Sequence, residues 1–167
     1  MNKLRKLEKN DFNKNILYLL SQLTDSPSIK EHDYNKYIDS LNDMHQIWVV
    51  ERNNKIIAMG TLLIEKKLIH NLGLVGHIED IVVDKNHRGK KLGNLIINFL
   101  KDIAKDIGCY KVILNCNEKV VGFYKKLAIE IINAVRKYKS TNKLSLKEEL
   151  SEVVLSCSEE NFEKDIS

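Results

Sequence analysis

The sequence has few of the residues that mark membrane, disulfide-rich or secreted proteins. Its 167 residues include three cysteines, one proline and seven glycines. The cysteines form no C-x-x-C pair, which argues against a disulfide framework or a zinc site and favours a reducing compartment. No apolar run approaches the roughly 18 residues of a membrane span, and the first residues lack the apolar core of a secretory signal. We therefore expect a cytoplasmic protein with no membrane partner and no metal.

Aromatic residues are also scarce, at 7% of the chain, which leaves little for stacking on nucleic-acid bases. No nucleic-acid-binding motif is present, so we expect no nucleic-acid partner. The net charge of +4 conceals an asymmetry. Residues 140–167 hold three lysines and seven acids, which leaves 24 bases against 16 acids in residues 1–139. A basic body of this kind suits an anionic ligand.

Helical and strand patterns alternate along the chain and predict a single α+β domain over residues 1–139. We expect a helix from an N-cap at Asp11, a helix opened by the capping box Ser28–Glu31, an extended piece from Glu65 to His70, and a long helix over 92–107 ended by Gly108. Strand patterns cover 3–7, 47–50, 56–63, 77–83 and 110–116, and a short helix is predicted over 118–127. Residues 140–167 read as a polar acidic tail, partly disordered, with one helix from Ser145 to about Leu155.

The segment 83–94 carries the clearest chemical signal. A strand ends, a loop with Gly89 and Gly93 follows, and a strongly amphipathic helix begins. Unpaired N–H groups and the helix dipole favour an anion at such a helix start. Arg88, Lys90 and Lys91 add positive charge there, so a pyrophosphate is a suitable ligand. Taken alone, the segment is equally compatible with a solvated basic loop before a surface helix.

The stretch Arg88-Gly-Lys-Lys-Leu-Gly93 resembles the [QR]-x-x-G-x-[GA] signature of the GCN5-related N-acetyltransferase (GNAT) superfamily, with lysine where the full match has glycine, at Lys91. Three longer segments, 62–83, 108–114 and 122–126, resemble the eukaryotic glucosamine 6-phosphate N-acetyltransferases. The run Gly-His-Ile-Glu-Asp-Ile over 76–81, followed by the basic loop and by Gly-Cys-Tyr-Lys over 108–111, is specific to that family. The likeness extends from about residue 46 to about residue 126.

The resemblance implies a GNAT fold, a mixed twisted sheet with flanking helices, in a homodimer. It implies acetyl transfer from acetyl-CoA to the 2-amino group of glucosamine 6-phosphate, for UDP-N-acetylglucosamine synthesis. The coenzyme would be held by Ile81, Val82, Val83, Arg88, Gly89, Lys90, Lys91, Leu92, Gly93, Val120, Val121 and Gly122. The sugar phosphate would contact Thr24, Lys67, Leu68, Ile69, His70, Glu79, Asp80, Tyr110, Lys111 and Arg136, some of them from the partner subunit. Tyr124 would protonate the departing thiolate.

Three positions depart from the family pattern. Asn115 stands where the family has an acidic residue proposed as the general base, and Val120 replaces an asparagine near the coenzyme. After residue 126 the chain continues Leu127-Ala128-Ile129 instead of through glycine and an aromatic. An amide cannot accept the ammonium proton, so we expect Glu79 or Asp80 to remove it. Two alternatives stay open: a GNAT enzyme for another amine, and a non-catalytic module that binds coenzyme A.

Overall fold

A six-stranded mixed sheet organises the part of the chain that the computed structural model describes, residues 2–25, 28–116 and 152–157. The strands lie in chain order, each beside the next. Their bounds are β1 Lys3–Lys6, β2 His45–Arg52, β3 Lys55–Lys66, β4 Leu74–Val83, β5 Cys109–Cys116 and β6 Glu152–Cys157. The helices are α1 Ile16–Leu20, α2 Glu31–Ser40, the four-residue α3 Ile69–Leu72, and α4 Leu92–Ile107.

The first four strands are antiparallel, whereas β4, β5 and β6 are parallel to one another. A hairpin joins β2 to β3, where strand patterns were predicted over 47–50 and 56–63, and its turn residues Asn53 and Asn54 have φ of 50° and 57°. Asparagine tolerates this left-handed conformation better than most residues, and two such residues in succession suit a tight hairpin turn. The parallel step from β4 to β5 needs a crossover, which α4 provides.

Helices cover both faces of the sheet and create two apolar layers. One layer packs the buried face of α4, including Ile96 and Leu100, on Leu62 and Ile78 of the sheet. The other is formed by the first helices and the opposite face of the strands: Ile16, Leu19, Tyr34, Val49, Ile56 and Met59. The expected α+β class, a mixed sheet with flanking helices, is confirmed. Within the described residues, no helix is long and apolar enough to cross a membrane.

The long helix is confirmed at both ends. α4 spans Leu92–Ile107, and Gly108 follows it with φ of 94°, donating its N–H to the carbonyls of Ala104 and Lys105. A glycine in this left-handed conformation is a common helix ending because it has no Cβ to clash. This helix could be predicted because its apolar spacing, its start after a basic loop and its terminal glycine all agree.

The two N-terminal helix starts were predicted wrongly. Asp11 lies inside a 3₁₀ segment, Lys9–Asn13, and α1 begins only after Asn15, whose φ is 70°. The carboxylate of Asp11 is fully buried and bonded to Arg5, so Asp11 does not cap a longer helix. At α2 the N-cap residue is Lys30, without a side-chain cap, and not Ser28. A short polar side chain caps a helix only when it is not already bonded to another group in the folded protein.

Two further expectations need correction. β3 ends at Lys66, and residues 69–72 form α3, with His70, Asn71 and Leu72 all at positive φ, so no strand continues to His70. Residues 152–157 form β6, where a helix was predicted to reach Leu155. Its two adjacent valines favour a strand, and pairing with β5 covers an otherwise open edge. The domain boundary at 139/140 stays a prediction.

Candidate active site

The centre of the candidate site is a break in the pairing of β4. The last pair between β4 and β5 is Ile78 with Leu114, yet β4 continues to Val83. Asp80 has φ of 53°, and the register with β3 shifts between Met59 and Thr61. In the described part of the chain, the residues after Ile78 therefore pair only with β3. Within these described residues, 81–83 have no strand partner on the side facing away from β3, and the coenzyme contacts of Ile81, Val82 and Val83 stay predictions.

Gly60 makes this bulge possible. A Cβ at Gly60 would lie 2.6 Å from both Ile81 Cδ1 and Ile96 Cγ2. Neither side chain has room to retreat easily, since Ile96 is fully buried. The missing side chain thus lets Ile81 pack between β3 and α4 where β4 changes register.

The basic loop after β4 is built around the buried carboxylate of Asp84, which is 4% exposed. Its Oδ1 accepts hydrogen bonds from the Asn86 amide at 2.8 Å and from His87 Nδ1 at 3.2 Å. Its Oδ2 accepts one from Gln22 Nε2 at 3.1 Å. Burial acts to raise the pKa of Asp84, but the hydrogen bonds from Gln22, Asn86 and His87 outweigh it and hold the pKa below the ordinary value. The loop therefore has a fixed, ionised centre.

The start of α4 has the properties of an anion site. Lys91 precedes the helix with φ of 58° and supplies no side-chain cap, so the first N–H groups, including those of buried Leu92 and Gly93, receive no cap from it. Gly89 has φ of 76°, and Arg88 Nε donates to the Val83 carbonyl at 3.2 Å. The side chains of Lys90 and Lys91 are exposed. Helix dipole, free amides and cations fit the pyrophosphate of a coenzyme A.

Several expected sugar-side residues meet at the other end of β4. The His70 ring lies 4.7 Å from that of Tyr110, and Lys111 Nζ lies 5.7 Å from the Tyr110 centroid. Lys67 is paired with Glu65, which also contacts His77 Nε2 at 3.0 Å. Hydrogen bonds from Lys67 and His77 lower the pKa of Glu65. These residues form a partly exposed polar cluster of mixed charge.

The part of this cluster formed by His70, Tyr110 and Lys111 lies far along β4 from Asp80 within one subunit. Leu74 and Val75 pair with Cys109 and Lys111, and Asp80 lies five residues beyond Val75, or about 17 Å along an extended strand. Asp80 itself is exposed and contacts Thr61, whose Oγ1 lies 3.4 Å from Asp80 Oδ2. Thr24, at the end of the turn after α1, is exposed too. Leu68 and Ile69 project from the protein, 91% and 64% exposed.

Six expected site residues lie outside the described residues or are described only in their backbone. Tyr124, Val120, Val121, Gly122 and Arg136 fall in the first group. Asn115 lies on β5, opposite Ser156 of β6, with only its backbone described. Their roles stay predictions. Among the described side chains, no group of three or more His, Cys, Asp or Glu is placed to hold a metal ion.

Comparison with known proteins gives the family. Residues 5–128 match the model of the acetyltransferase (GNAT) family. The chain belongs to the GNAT family. The GNAT domain is 44% identical over 129 residues to a glucosamine 6-phosphate N-acetyltransferase of Arabidopsis thaliana, covering 74% of this chain and 87% of that protein. A relative of the same name from Dictyostelium discoideum is 45% identical over 130 residues, covering 75% and 83%.

Solved structures agree with the sequence comparison. The crystal structure of glucosamine-6-phosphate N-acetyltransferase from Arabidopsis thaliana superposes with a TM-score of 0.73 and 42% identity, over 76% of this chain and 90% of that one. An acetyltransferase of Trypanosoma brucei gives a TM-score of 0.70 and 35% identity, over 76% and 91%. The expected GNAT fold and the family resemblance are both confirmed.

Sequence reasoning missed three residues of this GNAT site: Gly60, Asp84 and Gln22. Gly60 could have been found, because an isolated glycine inside an apolar strand pattern signals a bulge or a close backbone approach. Asp84 was read only as the end of a strand. Gln22 carries no local signal, since its partners lie more than sixty positions away along the chain.

Proposed function

We propose that this GNAT protein is a glucosamine 6-phosphate N-acetyltransferase. It would transfer the acetyl group of acetyl-CoA to the 2-amino group of the sugar and yield N-acetylglucosamine 6-phosphate. The observation that supports the donor side is the end of β4, residues 81–83, which pairs with β3 but has no described partner on its β5 side and leads directly into the basic loop and α4. The identity of the acceptor is supported by the relatives that share 44% and 45% of their aligned residues with this chain.

The described donor side fits acetyl-CoA in both of its parts. The first amides of α4, with Arg88, Lys90 and Lys91, would hold the pyrophosphate, and the main chain of 81–83 would bond the pantetheine arm. When bound, acetyl-CoA supplies an acetyl group activated as a thioester. As an amine attacks that carbonyl, negative charge grows on its oxygen, and a fixed main-chain N–H of β4 stabilises it.

The acceptor side must orient the amine and remove its proton. Asp80 lies at the bulge, at the point where β4 leaves β5, and Glu79 precedes it. A carboxylate accepts a proton, directly or through one water, whereas the amide of Asn115 does not. We therefore assign proton removal to Glu79 or Asp80. Tyr124 would donate a proton to the thiolate that leaves.

The sugar phosphate would be enclosed with help from a second subunit. Lys67, His70, Tyr110 and Lys111 carry basic and aromatic groups suited to a phosphorylated sugar, but in one chain they stand a long way along β4 from Asp80. A homodimer would bring one copy's cluster to the other copy's bulge. We further propose that the enzyme acts in the cytoplasm and supplies UDP-N-acetylglucosamine synthesis.

A second candidate is a non-catalytic GNAT module that binds coenzyme A. Asn115 and Val120 favour it, because both replace residues that the enzyme family uses near the reacting groups. The proposed pyrophosphate groups at the start of α4 would be unaffected by either change. This candidate predicts coenzyme binding without turnover.

One assay separates the candidates. The protein is mixed with acetyl-CoA and glucosamine 6-phosphate, and free thiol is measured, with glucosamine and a lysine peptide as alternative acceptors. The proposed function predicts thiol release only with the phosphorylated sugar. Release with another amine alone would reject the acceptor, and binding of coenzyme A by calorimetry without any release would select the non-catalytic module. No heat on adding coenzyme A would reject the donor site.

A further inference from the structure

The side chain of Gln22 ties the basic loop to the helical layer at the start of the chain. Gln22 lies in the turn after α1, and its N–H is bonded to the Leu19 carbonyl at 3.1 Å. Its side-chain amide reaches across to residues 84 and 85. Gln22 Nε2 donates to Asp84 Oδ2 at 3.1 Å, and Gln22 Oε1 accepts from the Lys85 amide at 2.8 Å. The side-chain amide of Gln22 thus bonds both a carboxylate and a main-chain N–H of the same loop.

Both ends of this link are firmly held. On one side, Ile16 and Leu19 of α1 are fully buried in the core. On the other side, Asp84 is buried, its main-chain N–H donates to the Ile57 carbonyl at 2.9 Å, and its carboxylate also binds Asn86 and His87. Gln22 therefore connects the turn after a buried helix to the carboxylate that organises the loop.

The loop fixed in this way leads directly into the proposed pyrophosphate site. It begins after residues 81–83, which have no described strand partner on their β5 side, and ends at Lys91, the left-handed residue directly before α4. A loop that samples other conformations would present those amides and cations correctly for only part of the time. Apparent affinity falls in proportion to the fraction of protein in the competent conformation.

We propose that Gln22 is a positioning residue for coenzyme binding, acting through Asp84 and Lys85 without touching the coenzyme. The inference rests on the proposed function for its ligand, coenzyme A. It requires the link to act on the donor side, so its loss would weaken donor binding more than acceptor binding. The inference also requires both hydrogen bonds of Gln22, one donated to Asp84 and one accepted from Lys85. A carboxylate or an apolar side chain of similar size would therefore not replace the amide.

Two substitutions test the two hydrogen bonds. Gln22→Met keeps the length of the side chain and removes both bonds. We expect the dissociation constant of coenzyme A, measured by calorimetry on the full chain, to rise about tenfold, since two bonds of which one is to a carboxylate are lost. The KM for acetyl-CoA would rise in parallel, while the KM for glucosamine 6-phosphate would change less than about twofold.

Gln22→Glu gives a readout that a merely structural role would not produce. It places a second carboxylate against Asp84, and two such groups in contact hold a shared proton more readily than either alone. At pH 8 we expect the same loss of coenzyme affinity as in Gln22→Met. Near pH 5.5 a shared proton restores the contact with Asp84, so affinity recovers in Gln22→Glu and does not recover in Gln22→Met.

Gln46→Met is the matched control. Gln46 is also buried and bonded, to the Asp43 carbonyl and to Trp48 Nε1, but it lies at the start of β2 and contacts no part of the basic loop. The substitution Gln46→Met should lower the midpoint of thermal unfolding without changing the affinity for coenzyme A. Unchanged affinity in Gln22→Met, or equal losses in Gln22→Met and Gln46→Met, would overturn the proposal. Failure of the unsubstituted protein to bind coenzyme A would instead overturn the proposed function.

Discussion

Lys91 combines a strained backbone conformation with a positive charge at the proposed coenzyme site. It adopts φ of 58° at the entry to α4, a conformation that disfavours every residue with a Cβ. The superfamily signature has glycine at this position, which would remove the strain. Lysine in its place adds a cation at the helix start, where the dipole already favours an anion. The strain therefore lies at the proposed coenzyme site, as is common for functional positions.

The substitution Lys91→Gly should separate these two effects. Relief of the left-handed strain should raise the free energy of unfolding by about 0.5–1 kcal/mol, the Cβ cost less the entropy that glycine loses. The loss of one exposed cation should weaken coenzyme A binding only about two- to fivefold. Urea denaturation and calorimetry measure the two quantities on the same sample.

Lys90→Gly is the control for Lys91→Gly. Lys90 is exposed and is not among the non-glycine residues with positive φ. It loses a similar charge without any relief of strain, so its stability should fall or stay unchanged. A gain in stability for Lys90→Gly equal to that for Lys91→Gly would contradict the assignment of strain to Lys91.

We expect Asn115 to limit the rate of the proposed enzyme, because it stands where the family has an acidic residue. An aspartate at this position would give the reaction a general base, and a positioned base is typically worth about 10² to 10⁴ in rate. Because Glu79 or Asp80 already removes the proton in our proposal, we expect Asn115→Asp to raise kcat by a smaller factor, about tenfold. Steady-state thiol release across pH measures it. A rate and pH profile equal to those of the unsubstituted protein would exclude a base at this position.

At the scale of the elements, a buried ion network fastens β1 and the 3₁₀ segment to β2. Arg5 binds both Asp11 oxygens at 2.6 Å and donates through Nε to Glu51 Oε2 at 2.9 Å, with Lys14 Nζ 3.3 Å from Asp11. Asp11 is fully buried. Removing one partner leaves an uncompensated buried charge, so Asp11→Asn should cost about 3 kcal/mol of unfolding free energy. Chemical denaturation measures this loss.

The same network predicts how stability depends on pH. Burial acts to raise the pKa of Asp11, but its bonds to Arg5 and to the Glu8 amide outweigh this and leave the pKa below its ordinary value of 3.8. The unfolded chain thus binds a proton first as pH falls. The contribution of Asp11 is complete above about pH 5 and is lost progressively as pH falls below about 4 towards the folded pKa. Denaturation at several acidic pH values should show a flatter dependence in Asp11→Asn.

The pair Lys9–Asp39 provides the control for this network. Its Nζ and Oδ1 are 2.6 Å apart, but the two side chains are 48% and 63% exposed. Such pairs contribute about 0.5 kcal/mol or less. Asp39→Asn should therefore leave stability nearly unchanged. A loss as large as that of Asp11→Asn would show that burial is not what makes the Arg5 network important.

Elements were predictable where the local pattern and the tertiary contacts agree. The apolar stripe of α4 faces the sheet, and Gly108 ends it, so the sequence located both ends. At Asp11 the predicted cap was wrong because Arg5, on β1, binds the carboxylate in the folded structure. β6 was missed because its apolar run is only three residues long, Val153 to Leu155, lies among acidic residues and pairs with β5, which is far away in sequence. In both cases contacts outside the local pattern decided the structure.

At the scale of the whole molecule, the site could be predicted in its parts but not in its arrangement. The basic loop, the end of β4 and the Tyr110-Lys111 pair were all identified from sequence. The register that ends β4–β5 pairing at Ile78, and the distance it leaves between Asp80 and the His70–Tyr110 pair, follow only from the sheet. Residue types indicate chemistry, whereas sheet register determines which groups act together.

That separation leads to a prediction about assembly. Leu68, Ile69 and Leu72 are 91%, 64% and 69% exposed, beside the sugar-side cluster of His70 and Tyr110. Apolar side chains so exposed and so close together suit burial against another protein surface. A second copy would cover them and would bring its own Asp80 towards this cluster. We therefore expect the unsubstituted protein to sediment as a dimer.

Leu68→Glu tests this arrangement, because it places a charge where the proposed dimer buries a large apolar side chain. The dimer dissociation constant should rise at least about tenfold, which corresponds to the loss of roughly 1.5 kcal/mol or more. Thiol release should fall along with dimer content, whereas coenzyme A binding should persist because the donor site belongs to one subunit. Leu95→Glu, at a 44% exposed position on α4, should leave the dimer intact. A monomeric unsubstituted protein with full activity would mean that one chain encloses the sugar phosphate by itself, which the separation along β4 argues against.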